Sequence, residues 1–339
     1  MDEGVERWLL IQENLGRARN TVLAYRHAFA DYLSFCRQRQ IAVCDATREH
    51  LSLYVRSMTD RPKQAHASVA LETSPSGLAN ATIRQRLTAV RLYYDYLIEE
   101  GVRSHNPVGR GRYTATARTA MWGPASHALL PSYSFLPWIP DEDEWHHILT
   151  IAATNSPRNR LMLALAYDAG LRREELCSIA TGDLDPARRL VHVRAETTKG
   201  RRARLVPYSV PTGMLLEAYL HERRKLTRDR GALFISQSRR NRGVPITVWT
   251  WSKVVQVLAR HADLPRLATH TFRHLCLTDL ARAGWELHEI AEFAGHRNTS
   301  TTLLYIHLSG RDLSAKLARA TCAHGRRMIE IGACLGAAQ

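Results

Sequence analysis

Several things are scarce in this sequence, and each scarcity excludes a class of protein. No apolar run approaches the 18 or so residues that span a bilayer. The first ten residues, MDEGVERWLL, are acidic where a secretory leader is basic, and their apolar stretch is short, so no signal peptide is expected. The six cysteines, at 36, 44, 177, 276, 322 and 334, form neither a CxxC pair nor a tight cluster. That spacing offers no disulfide framework and no zinc knuckle, and it fits a reduced, cytoplasmic protein. Cys36 and Cys276 lie inside apolar stretches, as small buried residues do. Internal repeats are absent, and lysine is rare: five, against 42 arginines.

What remains is an ordinary globular composition with an extraordinary charge. The chain has 339 residues, 45% of them hydrophobic and 23% charged, which predicts two folded domains rather than a disordered chain. Lys+Arg outnumber Asp+Glu by 47 to 32, a net charge of +15. An excess of that size favours an acidic partner, of which nucleic acid is the commonest. Arginine suits bidentate contact with phosphate, but a GC-rich genome produces the same bias, so the Arg:Lys ratio carries little weight.

The pattern along the chain predicts mainly helices with a small β-sheet. Residues 1–107 read as a helical block: Val22, Tyr25, Phe29, Tyr32, Leu33 and Cys36 mark one face of a helix over Asn20 to Gln40. Thr47 is placed to cap the next helix, and Thr59 to Leu78 reads as a loop. Asn80 is expected to cap a helix that Gly101 ends, with Arg84, Arg86 and Arg91 on its polar faces, either a solvated face or a stripe for DNA phosphates. Residues 108–140 carry Arg110, Arg112 and Arg118 without an acid, a basic interdomain linker in which Trp122, Phe135 and Trp138 suggest packing. A second block, 141–321, holds the apolar run Leu161 to Ala169 and a short helix over Glu174 to Ile179. Two strands, Leu190 to Val193 and Ala203 to Tyr208, flank a turn at Thr197 to Gly200, and helices resume from Thr247. Residues 322–339 form a tail.

Chemistry is carried by four short stretches in order: GLRREEL from Gly170, TKG from Thr198, HTFRH from His270 and AGHRNTSTTLLY from Ala294. HTFRH puts two histidines on one helix face, but a metalloprotease needs Glu directly after the first His, and Thr271 stands there. No metal and no cofactor is therefore expected. Read instead as H-x-x-R, His270 and Arg273 can grip one phosphate, although about two such pairs arise by chance in a chain this rich in His and Arg. Taken singly, every residue also has a structural reading. Tyr305 would be core, His270 and His296 satisfied core histidines, Arg172 a salt-bridge partner of Glu175, and Lys199 an exposed turn residue.

Together, the order and spacing of these stretches resemble the tyrosine site-specific recombinases, the phage-integrase and Xer group. The resemblance runs from about residue 140 to 320 and, more loosely, over the N-terminal helices. It implies an N-terminal helical core-binding (SAM-like) domain and a C-terminal α+β catalytic domain. Residue by residue it implies that Arg172, Lys199, His270, Arg273 and His296 are catalytic, that Tyr305 is the nucleophile, and that Glu175 supports Arg172. Ala294 departs from the family's usual Leu, and Leu275-Cys276-Leu277 is unusual after the box. Arg201 and Arg202, beside Lys199, join Arg84, Arg86 and Arg91 as expected DNA contacts. The partners implied are double-stranded DNA sites and, in the synapse, a homotetramer assembled from monomers. The segment after Tyr305 would fold as a helix onto its own domain or, as the resemblance implies, dock on a neighbouring protomer.

The roles make chemical sense. Breaking a phosphodiester builds charge on the non-bridging oxygens, which the fixed donor forks of Arg172 and Arg273 can neutralise. A phenol with a free pKa of about 10 is a weak nucleophile, so His270 is expected to accept or position its proton. His296 would donate to the phosphate, and Lys199 would protonate the leaving 5′ oxygen. Attack by Tyr305 would conserve the bond energy in a 3′-phosphotyrosine, without ATP. Two other readings share the residues: a type IB topoisomerase-like enzyme, and a non-catalytic DNA-binding regulator.

Overall fold

The computed structural model describes residues 3–61, 77–109, 137–198, 200–297 and 300–308. The chain divides into two compact units, Met1–Ser134 and Phe135–Gln339. Within the described residues the first is helical and the second is helical around one small sheet.

The first unit contains α1 (Glu3–Asn14), α2 (Arg19–Gln38), α3 (Arg48–Thr59) and α4 (Asn80–Glu99). Its core is aromatic: Trp8 packs on Tyr25, Phe29 and Tyr93, and Tyr32, Tyr54 and Tyr94 are fully buried. Buried phenols need partners, and they have them. Tyr32 and Tyr94 share a 2.7 Å hydrogen bond, Tyr94 donates to the Val43 carbonyl, and Tyr54 donates to Asp31. Thr47 caps α3 as its sequence predicts, with its Oγ1 accepting from the His50 amide and the His50 ring accepting from its own. At α4 the cap is Ala79 rather than Asn80. Asn80 is already helical, so its side chain is one residue too late to reach the free amides of the first turn. Gly101 ends α4 at φ 73, letting the Val102 amide return to the Leu97 carbonyl.

The second unit runs α5 (Glu142–Ala153), α6 (Pro157–Asp168), α7 (Arg173–Cys177), β1 (Leu184–Asp185), β2 (Leu190–Val193), β3 (Arg204–Pro207), α8 (Val210–Leu226), α9 (Val248–His261), α10 (Thr271–Arg282), α11 (Leu287–Ala294) and α12 (Ser300–Leu308). Helix α6 is apolar on most sides and lies in the middle of the core, packed by α8 and α10. The sheet is antiparallel in the order β1-β2-β3, with Val191 opposite Val206 and Val193 opposite Arg204. Alternation sends Val191, Val193 and Val206 into the core and leaves His192 and Leu205 outside. The two residues of β1 are too few to show a period in sequence. Asp141 and Ser156 cap α5 and α6, the latter followed by Pro157 at the first helical position. Val108 belongs to the first core, whereas Trp138 packs on the second, so both ends of the 108–140 segment are anchored.

Candidate active site

Two glycines bring the site together. Gly170, after the end of α6, takes φ 53, where a Cβ would lie 3.1 Å from the Phe293 ring. Gly295 ends α11 at φ 64, where a Cβ would come within 2.9 Å of Arg204 Nη1. Both are positions where the left-handed backbone and the close approach call for glycine. Their turns leave carbonyls without helical partners, and arginines take them up. Arg273 donates to the carbonyls of Gly170 and, at 2.6 Å, Ala294. Arg172 donates to the Gly295 carbonyl at 3.3 Å, and Arg204 Nε to that of Phe293 at 2.9 Å.

Glu175 ties two of these arginines together. Its carboxylate, almost wholly buried, accepts from the Arg172 amide at 3.0 Å and from Arg172 Nη1 at 2.8 Å. It also accepts two bonds from the Arg204 fork, at 3.2 and 2.8 Å. Burial pushes its pKa up, but Arg204 and then Arg172 outweigh burial and hold it at about 2. Burial, then the neighbouring Arg172, lowers Arg273 to about 10, so it remains a cation at neutral pH. Three guanidiniums therefore surround one carboxylate, an excess of two positive charges.

His296 lies against this cluster, with Nε2 3.0 Å from Arg273 Nη2 and Nδ1 2.9 Å from Thr302 Oγ1. A guanidinium only donates, so Nε2 carries the lone pair and Nδ1 the proton, which goes to Thr302. Burial, followed by Arg273, Arg172 and Arg204, holds His296 near 3 and hence neutral. In this arrangement His296 accepts from Arg273, where a donor to phosphate was expected. The Tyr305 ring stacks on His296 at 6.0 Å between centroids and is 2% exposed. Its hydroxyl is 3.0 Å from His274 Nδ1. Burial raises the phenol pKa while Arg273 and then Arg172 pull it down. Burial and then His270 lower His274 to about 4.

Arg172, Glu175, Arg273, His296 and Tyr305 thus meet in one place. His270 does not join them at the hydroxyl. It is exposed at the start of α10, 6.3 Å from the His274 ring between centroids, and the histidine on the phenol is His274. The reason is helical: Tyr305 lies beyond the first turn of α10, so a residue four positions on reaches it. Lys199 lies outside the described residues. Its neighbour Gly200 lies beside the site, where a Cβ would be 3.6 Å from the Arg297 side chain. Arg201 and Arg202 are exposed on the same connection, with Arg201 at φ 51. In the first unit Arg84 is exposed and Arg91 half-buried, but Arg86 forms an ion pair with Asp31, which also accepts from Arg61 and Tyr54. The stripe on α4 is thereby narrower than its sequence suggests. Among the described residues no group of three His, Cys, Asp or Glu could hold a metal ion, and no helix is long and apolar enough to cross a membrane.

Three site residues escape a sequence reading: His274, Thr302 and Arg204. Thr302 precedes Tyr305 by one helical turn, a same-face signal that was available. His274 is visible only as the second half of a failed metal pair. Arg204 has no local signal, because its partner Glu175 is 29 residues away and they meet only through the sheet.

Comparison with known proteins identifies the family. Residues 140–311 match the phage integrase family, and residues 5–101 match the phage integrase N-terminal SAM-like domain. The tyrosine recombinase XerC of Pelotomaculum thermopropionicum is 31% identical over 248 residues, covering 70% of this chain and 74% of the relative. XerC of Pseudomonas fluorescens is 28% identical over 303 residues, covering 87% and 88%. Among solved structures, the Tn1549 transposon integrase in complex with a circular intermediate DNA aligns with a TM-score of 0.67 at 16% identity, covering 89% of this chain and 94% of that one. XerH recombinase bound to a palindromic difH substrate aligns at 0.65 and 17% identity, covering 94% and 89%. The chain belongs to the phage integrase family, the tyrosine recombinases. It is an enzyme that cleaves and rejoins DNA.

Proposed function

We propose that this protein is a site-specific recombinase, encoded by a transposon or phage, that cuts duplex DNA through a 3′-phosphotyrosyl bond to Tyr305. The observation that carries the reading is the excess of two positive charges, on buried Arg273 and half-buried Arg172 and Arg204, beside a buried tyrosine. A bound phosphodiester carries one negative charge and its phosphorane two, so the site gains most on reaching the transition state. The Arg172 and Arg273 forks hold the two non-bridging oxygens. Phosphate taking Arg273 Nη2 frees His296 Nε2, and the added anion favours the imidazolium, which then donates to the same phosphate. His270, at the exposed rim, contacts the incoming strand, and Lys199 protonates the 5′ oxygen as the P–O bond breaks.

Supporting the DNA partner are the +15 charge and the structural relatives, which are recombinases bound to DNA. Residues 1–107 form the core-binding domain, 108–140 the linker, 141–321 the catalytic domain and 322–339 a tail. The protein is a cytoplasmic monomer that assembles as a tetramer on paired sites, and the reaction uses neither metal nor ATP. Covalent capture tests the reading. Incubation with a randomised duplex library, followed by denaturing purification, should recover a preferred duplex attached to Tyr305, and Tyr305→Phe should recover none. Adducts that persist in Tyr305→Phe, or wild-type protein that binds duplex without ever forming one, would overturn it. Strand exchange between two captured duplexes distinguishes recombination from relaxation by a topoisomerase-like enzyme.

A further inference from the structure

We infer that His274, the residue after the H-x-x-R arginine, is the base that takes the Tyr305 proton as the phenol oxygen attacks DNA. The inference rests on Tyr305 being the nucleophile. Its ground is the direction of one hydrogen bond. The phenol oxygen is 3.0 Å from His274 Nδ1. The phenol is the stronger acid of the pair and a neutral imidazole nitrogen the stronger base, so the O–H donates to Nδ1. His274 then holds an unprotonated Nδ1 toward the nucleophile, within the reach a general base requires. His270, the histidine that sequence alone offers for this task, is one turn earlier and exposed.

Burial disfavours the His274 imidazolium most, followed by the titratable and charged groups that face it, His270 and Arg273. An incoming phosphodiester offsets Arg273 and raises the proton affinity of the ring when the proton must move. The step balances. The Tyr305 O–P bond forms, the phenol proton goes to His274 Nδ1, the P–O5′ bond breaks, and the 5′ oxygen takes a proton from Lys199. Ligation runs the same transfers backwards, with His274 returning its proton to the departing phenolate.

Two measurements test this. First, 15N NMR of histidine-labelled full-length protein, without DNA, should show an unprotonated Nδ1 on His274 whose resonance moves in Tyr305→Phe. A protonated Nδ1 would overturn the inference. Second, the duplex captured by wild-type protein serves as substrate for single-turnover adduct formation. His274→Gln should bind it with unchanged affinity and cleave about 10²- to 10³-fold more slowly. Replacing Tyr305 by 3,5-difluorotyrosine, a stronger acid that needs less help, should restore most of that loss in His274→Gln but not in His270→Gln. A His274→Gln defect that difluorotyrosine leaves unchanged assigns the residue to packing. Failure of Tyr305 itself as nucleophile shows separately, as adducts that survive in Tyr305→Phe.

Discussion

Replacing Glu175 by Gln tests whether the buried charge cluster is held by charge or by shape. Gln keeps the size of the side chain and two of its hydrogen-bonding atoms but removes the anion that Arg172 and Arg204 share. A carboxyl held at about 2 in the fold, against an ordinary 4.5, contributes about 3 kcal/mol to stability at neutral pH. Removing one partner from a buried ion pair typically costs about 3–5 kcal/mol, which brackets the same figure. The sign follows from the depressed pKa. The contribution is fully present above 4.5 and is lost as pH falls toward 2, so the wild type should converge on the variant in acid. At pH 3 less than half of the difference should remain, about 1 kcal/mol.

The assay is urea unfolding of the full chain, read by pulsed hydrogen exchange of peptides from α10, which report the second unit alone. At pH 7, Glu175→Gln should lower the unfolding free energy of α10 by about 3 kcal/mol. Peptides from α2, in the first unit, should be unaffected. A loss of equal size at pH 7 and pH 3 would refute the electrostatic argument and leave imperfect packing of the amide as the cause. A loss below about 0.5 kcal/mol at pH 7 would show that the arginines find other partners at no cost.

Thr302→Val removes the acceptor for His296 Nδ1–H and leaves it buried, which should cost about 1–3 kcal/mol. In 15N spectra the proton should then no longer be confined to Nδ1, and an unchanged tautomer would show that Arg273 alone fixes it. Lys199→Ala should cleave the captured duplex slowly yet recover on a substrate with sulfur bridging at the 5′ position, since a thiolate leaves without a proton. Arg172→Ala should show no such recovery, and equal Lys199→Ala defects on both substrates would remove the acid role. Log affinity for duplex DNA should fall steeply with log salt, and deleting residues 1–107 should flatten the slope. An unchanged slope would deny that the first unit contacts phosphate.

Helix positions in both units were legible because amphipathic spacing and caps are local signals. Thr47, Gly101 and the apolar faces of α2 and α4 all perform as their neighbours in sequence require. The site was legible where its residues fall in compact motifs: Arg172 and Glu175 are three apart, and Gly295-His296 lies shortly before Tyr305. Illegible were the contacts made across the fold. Arg204 meets Glu175 only because β3 pairs with β2, and Arg86 meets Asp31 only because α4 packs on α2. His274 shows a different limit. Its type and position were plain, but choosing it over His270 requires knowing which turn of α10 faces Tyr305.

The way the arginines are buried explains why the cluster stays positive. A buried guanidinium needs partners for its donors, and pairing every one with a carboxylate would cancel the charge an anion is to meet. Here most of the partners are carbonyls at helix C-termini. Arg273 donates to Gly170, at the end of α6, and to Ala294, the last residue of α11. Arg204 donates to Phe293 and Arg172 to Gly295, also at the end of α11. Each such end has unpaired carbonyls and the negative half-charge of the helix dipole, enough to satisfy a donor and too little to neutralise a cation. Glu175 supplies the single full negative charge, placed where it orients Arg172 and Arg204 rather than Arg273. The arginine left without a carboxylate is the one bonded to His296, and it is the cation that most lowers the Tyr305 pKa. The unneutralised charge is therefore concentrated beside Tyr305, where the proposed mechanism brings the phosphate.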